Sequence, residues 1–178
     1  MSTLDSIPSI DDGDFAGKRV LLRVDINSPI DRDSGRIVND NRIIKSLPTI
    51  SDLLDKGARL AIIAHQGDTT DYGSLIGLQE HASRLSAGLG KQVQFVEDVA
   101  GPAAVEKILA LADGEVLLLD NIRYLTEEVS TFEDSVKQEP ADMTNCYLVR
   151  RLAPVFDCYV NGWNPHKTRN PKQVENER

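Results

Sequence analysis

Cysteine is scarce in this sequence: Cys146 and Cys158 make no disulfide framework and match no metal-ligand spacing. Cys158 lies in an apolar run and reads as a small core residue. Long apolar runs are missing too. No stretch approaches about 18 residues, and the acidic lead from Met1 to Asp14 carries no apolar run. Neither a membrane span nor a secretory leader is expected, and the cytoplasm is the default location. Positive charge is in the minority, with 20 Lys and Arg against 28 Asp and Glu and a net charge of −8. That balance excludes a broad footprint for nucleic acid or an anionic membrane, while leaving room for a local cluster of arginines. The histidines, His65, His81 and His166, fall at a strand end, on a helix and in the tail, so they make no metal triad. There is no G-x-x-x-x-G-K-[ST] loop and no G-x-G-x-x-G after the first strand. The chain is therefore expected to hold no cofactor-binding and no metal site.

What is present is an ordinary globular chain. Its 178 residues, 40% hydrophobic and 27% charged, fit one domain. A chain of this size buries roughly 70% of its unfolded surface and needs no disulfide or metal to fold.

Short apolar strands alternate with amphipathic helices. Lys18 to Asp25 reads as the first strand, buried and parallel, and Ser28-Pro29 turns the chain after it. Ile37-Val38 offers a short hairpin in the loop that follows. Asn41 is placed to cap a helix whose apolar face is Ile43, Ile44, Leu47, Ile50 and Leu54. Pro48 predicts a kink there or a restart capped by Ser46, and Gly57 ends the helix. Arg59 to Ala64 is the second strand. Leu78, Ala82, Leu85 and Leu89 mark a helix closed by Gly90.

Val93 to Val96 is the third strand, and Pro102 opens a helix that Gly114 terminates. Glu115 to Leu119 is the fourth strand. Phe132 and Val136 predict a turn or two of helix in the acidic connection, where Glu127-Glu128 reads as a solvated face. Asn145 caps a last helix, and Phe156 to Val160 is strand five. The expected fold is three-layer α/β: an open parallel sheet of about five or six strands, right-handed crossovers, and helices on both faces. The domain is expected over residues 1–161, with 162–178 a weakly ordered tail.

Polar residues gather at the carboxyl edge of that sheet, where open α/β folds bind ligands. Asp25 and Asn27 follow strand one, with their side chains on the same side of extended backbone. That stretch alone leaves open whether they begin a ligand site or only shape the turn. His65 follows strand two, Arg123 strand four and Asn161 strand five, and Arg42 opens the first helix. For any one of them a surface salt bridge or loop anchor is the commoner role. Two arginines, a histidine and helix amino ends converging from separate strands favour an anion cradle.

The motifs carrying these residues are Arg23-Val24-Asp25-Ile26-Asn27-Ser28-Pro29, Asp40-Asn41-Arg42-Ile43, Leu47-Pro48-Thr49-Ile50, Ala64-His65-Gln66-Gly67, Gly114 through Tyr124, and Tyr159-Val160-Asn161. Over about Gly17 to Asn161 their order and spacing resemble the amino-terminal domain of phosphoglycerate kinases. The resemblance implies a two-domain enzyme that moves a phosphoryl group between 1,3-bisphosphoglycerate and ADP. In it this half holds the phosphoglycerate and the carboxy-terminal half holds Mg and ATP or ADP. It implies that Asp25 and Asn27 contact the glycerate end, and that His65 and Arg123 grip the distal phosphate. Arg42 resembles the catalytic arginine that stabilises charge on the transferring group.

Three departures stand out. Asp68 takes a position where many members carry arginine. Asn161 is followed by Gly162-Trp163-Asn164 rather than Asp-Ala-Phe, so that Arg169 matches the family's arginine by offset alone. The chain ends at Arg178, so the nucleotide half is expected to be missing. The expected partners are 3-phosphoglycerate or 1,3-bisphosphoglycerate and a separate nucleotide domain, with the chain a monomer that binds neither nucleic acid nor membrane. A different class of reading, favoured by Asp68 and the segment after Asn161, is a non-catalytic binding module that kept the fold. A phosphoacceptor receiver domain, prompted by Asp25 at a strand end, lacks the acidic pair and lysine which that chemistry needs.

Overall fold

The structure is a computed structural model and describes residues 9–68, 72–129 and 144–162. Its elements in chain order are β1 (Arg19–Val24), α1 (Asn41–Asp55), β2 (Arg59–Ile63), α2 (Gln79–Leu89), β3 (Val93–Val96), α3 (Pro102–Ala110), β4 (Val116–Leu119), α4 (Thr126–Val129), α5 (Tyr147–Leu152) and β5 (Cys158–Gly162). All five strands pair in parallel, in the order β3-β4-β2-β1-β5. The α/β fold expected from the alternation is the one observed.

The two-residue period of the strands sorts the core into two clusters. Val20, Leu22, Leu60, Ile62, Val116 and Leu118 point to one face and pack with Ile43, Ile50, Leu53 of α1 and Ala82, Leu85 of α2. Ala61, Ile63, Leu117 and Leu119 point to the other and meet Ala104 and Ile108 of α3 and Leu152 of α5. Each fully buried Leu or Ile contributes about 1.5–3 kcal/mol of transfer free energy, so both faces must stay covered. β2 and β4 are neighbours, yet the chain leaves β2 toward α2 on one face and leaves β4 toward α5 on the other. That reversal is the topological switch point of the sheet, beside which open α/β folds bind ligands.

Several local expectations need correction. α1 runs unbroken through Pro48, and Ser46 donates its hydroxyl to the Arg42 carbonyl at 3.0 Å instead of capping a restart. The carbonyl that Pro48 leaves without an amide belongs to Ile44. Both residues lie on the exposed side of the helix, where water can serve it. Ile44 accordingly leaves the apolar face and Leu53 joins it. The helix is flanked by Asp40 at its amino end and Lys56 at its carboxyl end, with Gly57 next at φ +76°. The Ile37 hairpin is a single antiparallel bridge to Ile30. α3 ends at Ala110, so Gly114 belongs to the turn before β4.

β5 lies two residues later than the apolar run predicts and includes Asn161 and Gly162. Among the described residues it is one of two edge strands, with one hydrogen-bonded neighbour, so its register follows pairing to β1 more than burial. The expected boundary at residue 161 thus falls inside a strand. Phe132, Val136 and residues 163–178, with His166 and Arg169, lie outside the described residues.

The acidic pair on α4 is more than a solvated face. Glu128 pairs with Arg23 of β1 at 2.5 Å with both side chains largely buried. Glu127 accepts the amides of Tyr147 and Leu148 at 2.5 and 3.1 Å, capping α5 in place of Asn145.

Candidate functional site

Past the strand ends the backbones of β1, β2 and β4 are tied together by side-chain carboxamides. Each one offers an oxygen and an NH2 to the peptide groups of a neighbouring loop, continuing the sheet ladder by other means. Asn121, after β4, accepts the Gln66 amide at 3.1 Å and donates to the Gln66 and Ile76 carbonyls at 2.8 and 2.9 Å. Gln66, after β2, accepts the Ser28 amide at 2.8 Å and donates to the Ser28 carbonyl at 3.0 Å. Asn27, after β1, accepts the Gly67 amide at 3.1 Å and donates to the Gly67 carbonyl at 3.4 Å. Gln66 and Asn121 are fully buried. With buried polar groups this completely paired, the crevice floor is rigid.

The residues singled out by sequence stand on that floor. Arg123 donates to the same Gly67 carbonyl as Asn27, and its buried Nε makes no hydrogen bond. Asp25 accepts the Nη1 of Arg42 on both carboxylate oxygens, at 2.8 and 2.6 Å, and also the Asn27 amide at 3.3 Å. His65 is buried one residue before Gln66. Burial, reinforced by the Arg123 guanidinium and opposed by Asp25, holds its imidazole down to about 4, with Arg23 and Arg42 pushing the same way as Arg123. At neutral pH it is therefore a neutral hydrogen-bonding group, while the cations acting on it are arginines.

Asp25, Asn27, Arg42, His65 and Arg123 thus come to one edge. Asn161 is placed within β5, opposite Arg23. Asp68, next to Gly67, is exposed.

A cavity of about 220 Å³ adjoins Asp25 and Arg42 and is completed by Lys45, Ser46, Thr49 and Gly162. Residues 42, 45, 46 and 49 share one face of α1, at the three- and four-residue spacing of a helix. Among the described residues no three His, Cys, Asp or Glu side chains gather as a metal site.

Sequence reasoning missed Gln66 and Asn121 in the floor, and the buried His81 whose Nε2 lies 3.1 Å from the Gln66 side-chain oxygen. The first two stood inside recognised motifs, but pairing of a carboxamide with a distant peptide leaves no periodic trace. For His81 the available signal was its place beside Ala82 and Leu85 on the apolar side of α2.

Fold and site together define an open α/β domain with arginines, a neutral histidine and carboxamides at the topological switch of its sheet. That class holds small anionic ligands. The chain belongs to the phosphoglycerate kinase family, whose model matches residues 10–163. The phosphoglycerate kinase of Sulfurisphaera tokodaii is 44% identical over 156 residues, covering 88% of this chain and 36% of that protein. That of Methanothermobacter thermautotrophicus is 42% identical over 153 residues, 86% of this chain and 36% of the relative. The crystal structure of phosphoglycerate kinase from Pyrococcus horikoshii OT3 superposes with a TM-score of 0.77 at 38% identity, over 87% of this chain and 36% of that one. The chain thus spans about a third of the length of the curated relatives it matches.

Proposed function

We propose that this chain is the phosphoglycerate-binding half of a phosphoglycerate kinase, holding 3-phosphoglycerate or 1,3-bisphosphoglycerate for glycolytic phosphoryl exchange with ATP or ADP. The observation that carries the reading is the meeting of Asn27 and Arg123 on the Gly67 carbonyl, with His65 beside them and the Asp25–Arg42 pair at the rim. The chemistry divides the roles. A carboxylate accepts from a hydroxyl and repels phosphate, so Asp25, with Asn27, takes the glycerate end. Arg123 supplies charge-assisted hydrogen bonds to the distal phosphate, and neutral His65 adds one N–H donor. Arg42, held at the rim by Asp25, is the group that stabilises charge on the transferring phosphoryl.

The working unit proposed is a monomer, and glycolytic phosphoryl exchange favours a cytoplasmic location. Magnesium nucleotide does not fit the described residues, which offer no glycine-rich phosphate loop and no cluster of metal-binding side chains. Its binding is assigned to the part of such kinases that this chain does not span.

Amide NMR during titration with 3-phosphoglycerate tests the site, with shifts expected around Asp25, Arg42, His65 and Arg123. Shifts confined to other residues would remove the assignment. Alignment of donor and acceptor can supply roughly 7–11 kcal/mol of barrier lowering. The chain alone, lacking that alignment, is expected to show no turnover in a coupled assay with 3-phosphoglycerate, ATP and magnesium. Turnover near about 10 s⁻¹, typical of enzymes, would overturn the placement of the nucleotide. Asp68, acidic and exposed beside Gly67, favours a second reading as a non-catalytic binding module. Recovery of turnover on adding a separately expressed nucleotide domain separates the two.

A further inference from the structure

His81 touches none of the residues assigned to the ligand. It lies on α2, fully buried, with Nε2 3.1 Å from the side-chain oxygen of Gln66. The identity of that oxygen is fixed by its surroundings. The Ser28 amide donates to it at 2.8 Å, while the Gln66 nitrogen donates to the carbonyls of Ser28 and Ser74 at 3.0 and 3.3 Å. Turning the amide over would set N–H against N–H and oxygen against two carbonyls. An oxygen that can only accept requires His81 to carry its proton on Nε2. Burial keeps the ring neutral at pH 7, its pKa held down to about 4 against the opposing pull of Glu80 and the Ile26 backbone. Nδ1 is buried without a hydrogen-bond partner, so the single N–H is placed on Nε2, facing Gln66.

The consequence runs outward in a single line. Gln66 grips both peptide groups of Ser28, the next residue back is Asn27, and Asn27 grips Gly67. The Gly67 carbonyl in turn receives Arg123. We propose that His81 is a positioning residue for the phosphoglycerate site: its Nε2–H locks the Gln66 carboxamide and so sets where Asn27 and Arg123 present themselves. The ligand-binding part of this inference rests on the phosphoglycerate reading of the site, whereas the locking of Asn27 does not.

A histidine that merely fills space would behave differently under two substitutions. Leucine fills an apolar pocket well and donates nothing. Glutamine fills it less well but can place an amide nitrogen where the imidazole Nε2 lies. Space-filling therefore ranks His81→Leu at or above His81→Gln in every property, and positioning reverses that rank for the site alone.

The experiment uses the full 178-residue chain. In the free protein the side-chain NH2 signals of Asn27 should shift and exchange faster in His81→Leu, and stay near wild type in His81→Gln. Thermal stability should not follow that order. The dissociation constant for 3-phosphoglycerate should rise about three- to tenfold in His81→Leu, the weight of one neutral hydrogen bond, and change less than about twofold in His81→Gln. Asn27 signals that are unmoved in both variants, or moved alike in both, overturn the positioning role. Failure of the wild-type chain to bind 3-phosphoglycerate overturns the site reading, and the Asn27 signals still judge His81. If His81→Leu does not fold, the imidazole ¹⁵N spectrum of the wild-type chain decides. A proton on Nε2 supports the inference and a proton on Nδ1 overturns it.

Discussion

At the crevice between β2 and β4, Gln66 and Asn121 are sealed from solvent and every partner is a peptide group or a buried side chain. At the rim beside α1, on the same edge, Asp25 and Arg42 meet at 2.6 Å with the arginine side chain 54% exposed. The first region gains definition from saturation: removing one partner strands another in a dry place, at about 1–3 kcal/mol. The second holds its pair in high dielectric, where such a contact is worth about 0–1 kcal/mol however short it is. A binding site needs both, a floor that fixes where groups stand and a rim whose charge is free to change partners. The lesson is that contact length alone says little about which region resists mutation.

The sharpest way to break the contrast is Gly67→Ala. Gly67 has φ +94°, and an added Cβ would lie 2.7 Å from the Ser74 carbonyl oxygen and 2.8 Å from the backbone of Leu75. Strain of about 1–3 kcal/mol from the backbone alone, with the collision added, should lower urea-measured stability by about 3 kcal/mol or more. A loss below about 1 kcal/mol would show that the floor yields.

Next in size is Arg123→Ala, read as ligand affinity. It should weaken 3-phosphoglycerate binding by about 1.5–3 kcal/mol, the weight of a charged hydrogen bond. Unchanged affinity by calorimetry would leave Arg123 a purely structural link to Gly67.

The third test uses pH. His65 and His81 titrate near 4 in the folded chain against 6.5 ordinarily, so between those values the unfolded state binds more protons. Stability is full above about pH 6.5 and falls as the pH drops toward about 4. Urea unfolding at pH 7 and pH 5 should show that loss, and His81→Gln should reduce it. A flat profile would place both rings in water.

The smallest effect belongs to the rim. Arg42→Ala should change stability by less than about 1 kcal/mol despite its 2.6 Å contact. A larger loss in thermal unfolding would move the Asp25–Arg42 pair into the floor.

Most of the scaffold was legible because its signals are local. β3 and α2 follow from apolar spacing bounded by glycine, and Pro102 marked the start of α3. What escaped depends on distant partners. Nothing around Pro48 tells that the Ile44 carbonyl it leaves unpaired would face water. Nothing in Asn161-Gly162 tells that β1 would recruit them into a strand, and Glu127-Glu128 reads as solvent charge until Arg23 and α5 are brought to it. The site divides the same way. Asp25, Asn27, His65 and Arg123 were visible at strand ends, but Gln66 and His81 act through hydrogen bonds spanning 38 and 15 residues.

The strand order has a consequence for how the chain is made. β1 sits between β2 and β5, and the Arg19 amide bonds Asp157, 138 residues away. At ~5–20 residues per second of synthesis, roughly seven to thirty seconds separate the emergence of β1 from that of its second neighbour. Throughout that interval β1 presents a row of unpaired peptide groups that any other nascent strand could borrow. Arg19 and Arg23 lie on one face of it, on either side of Leu21, and each ends paired with an acidic group from later in the chain or seated on a later carbonyl. Charge at such positions is what disfavours pairing with the wrong strand, so Arg19→Val with Arg23→Val should raise aggregation during refolding, read by light scattering.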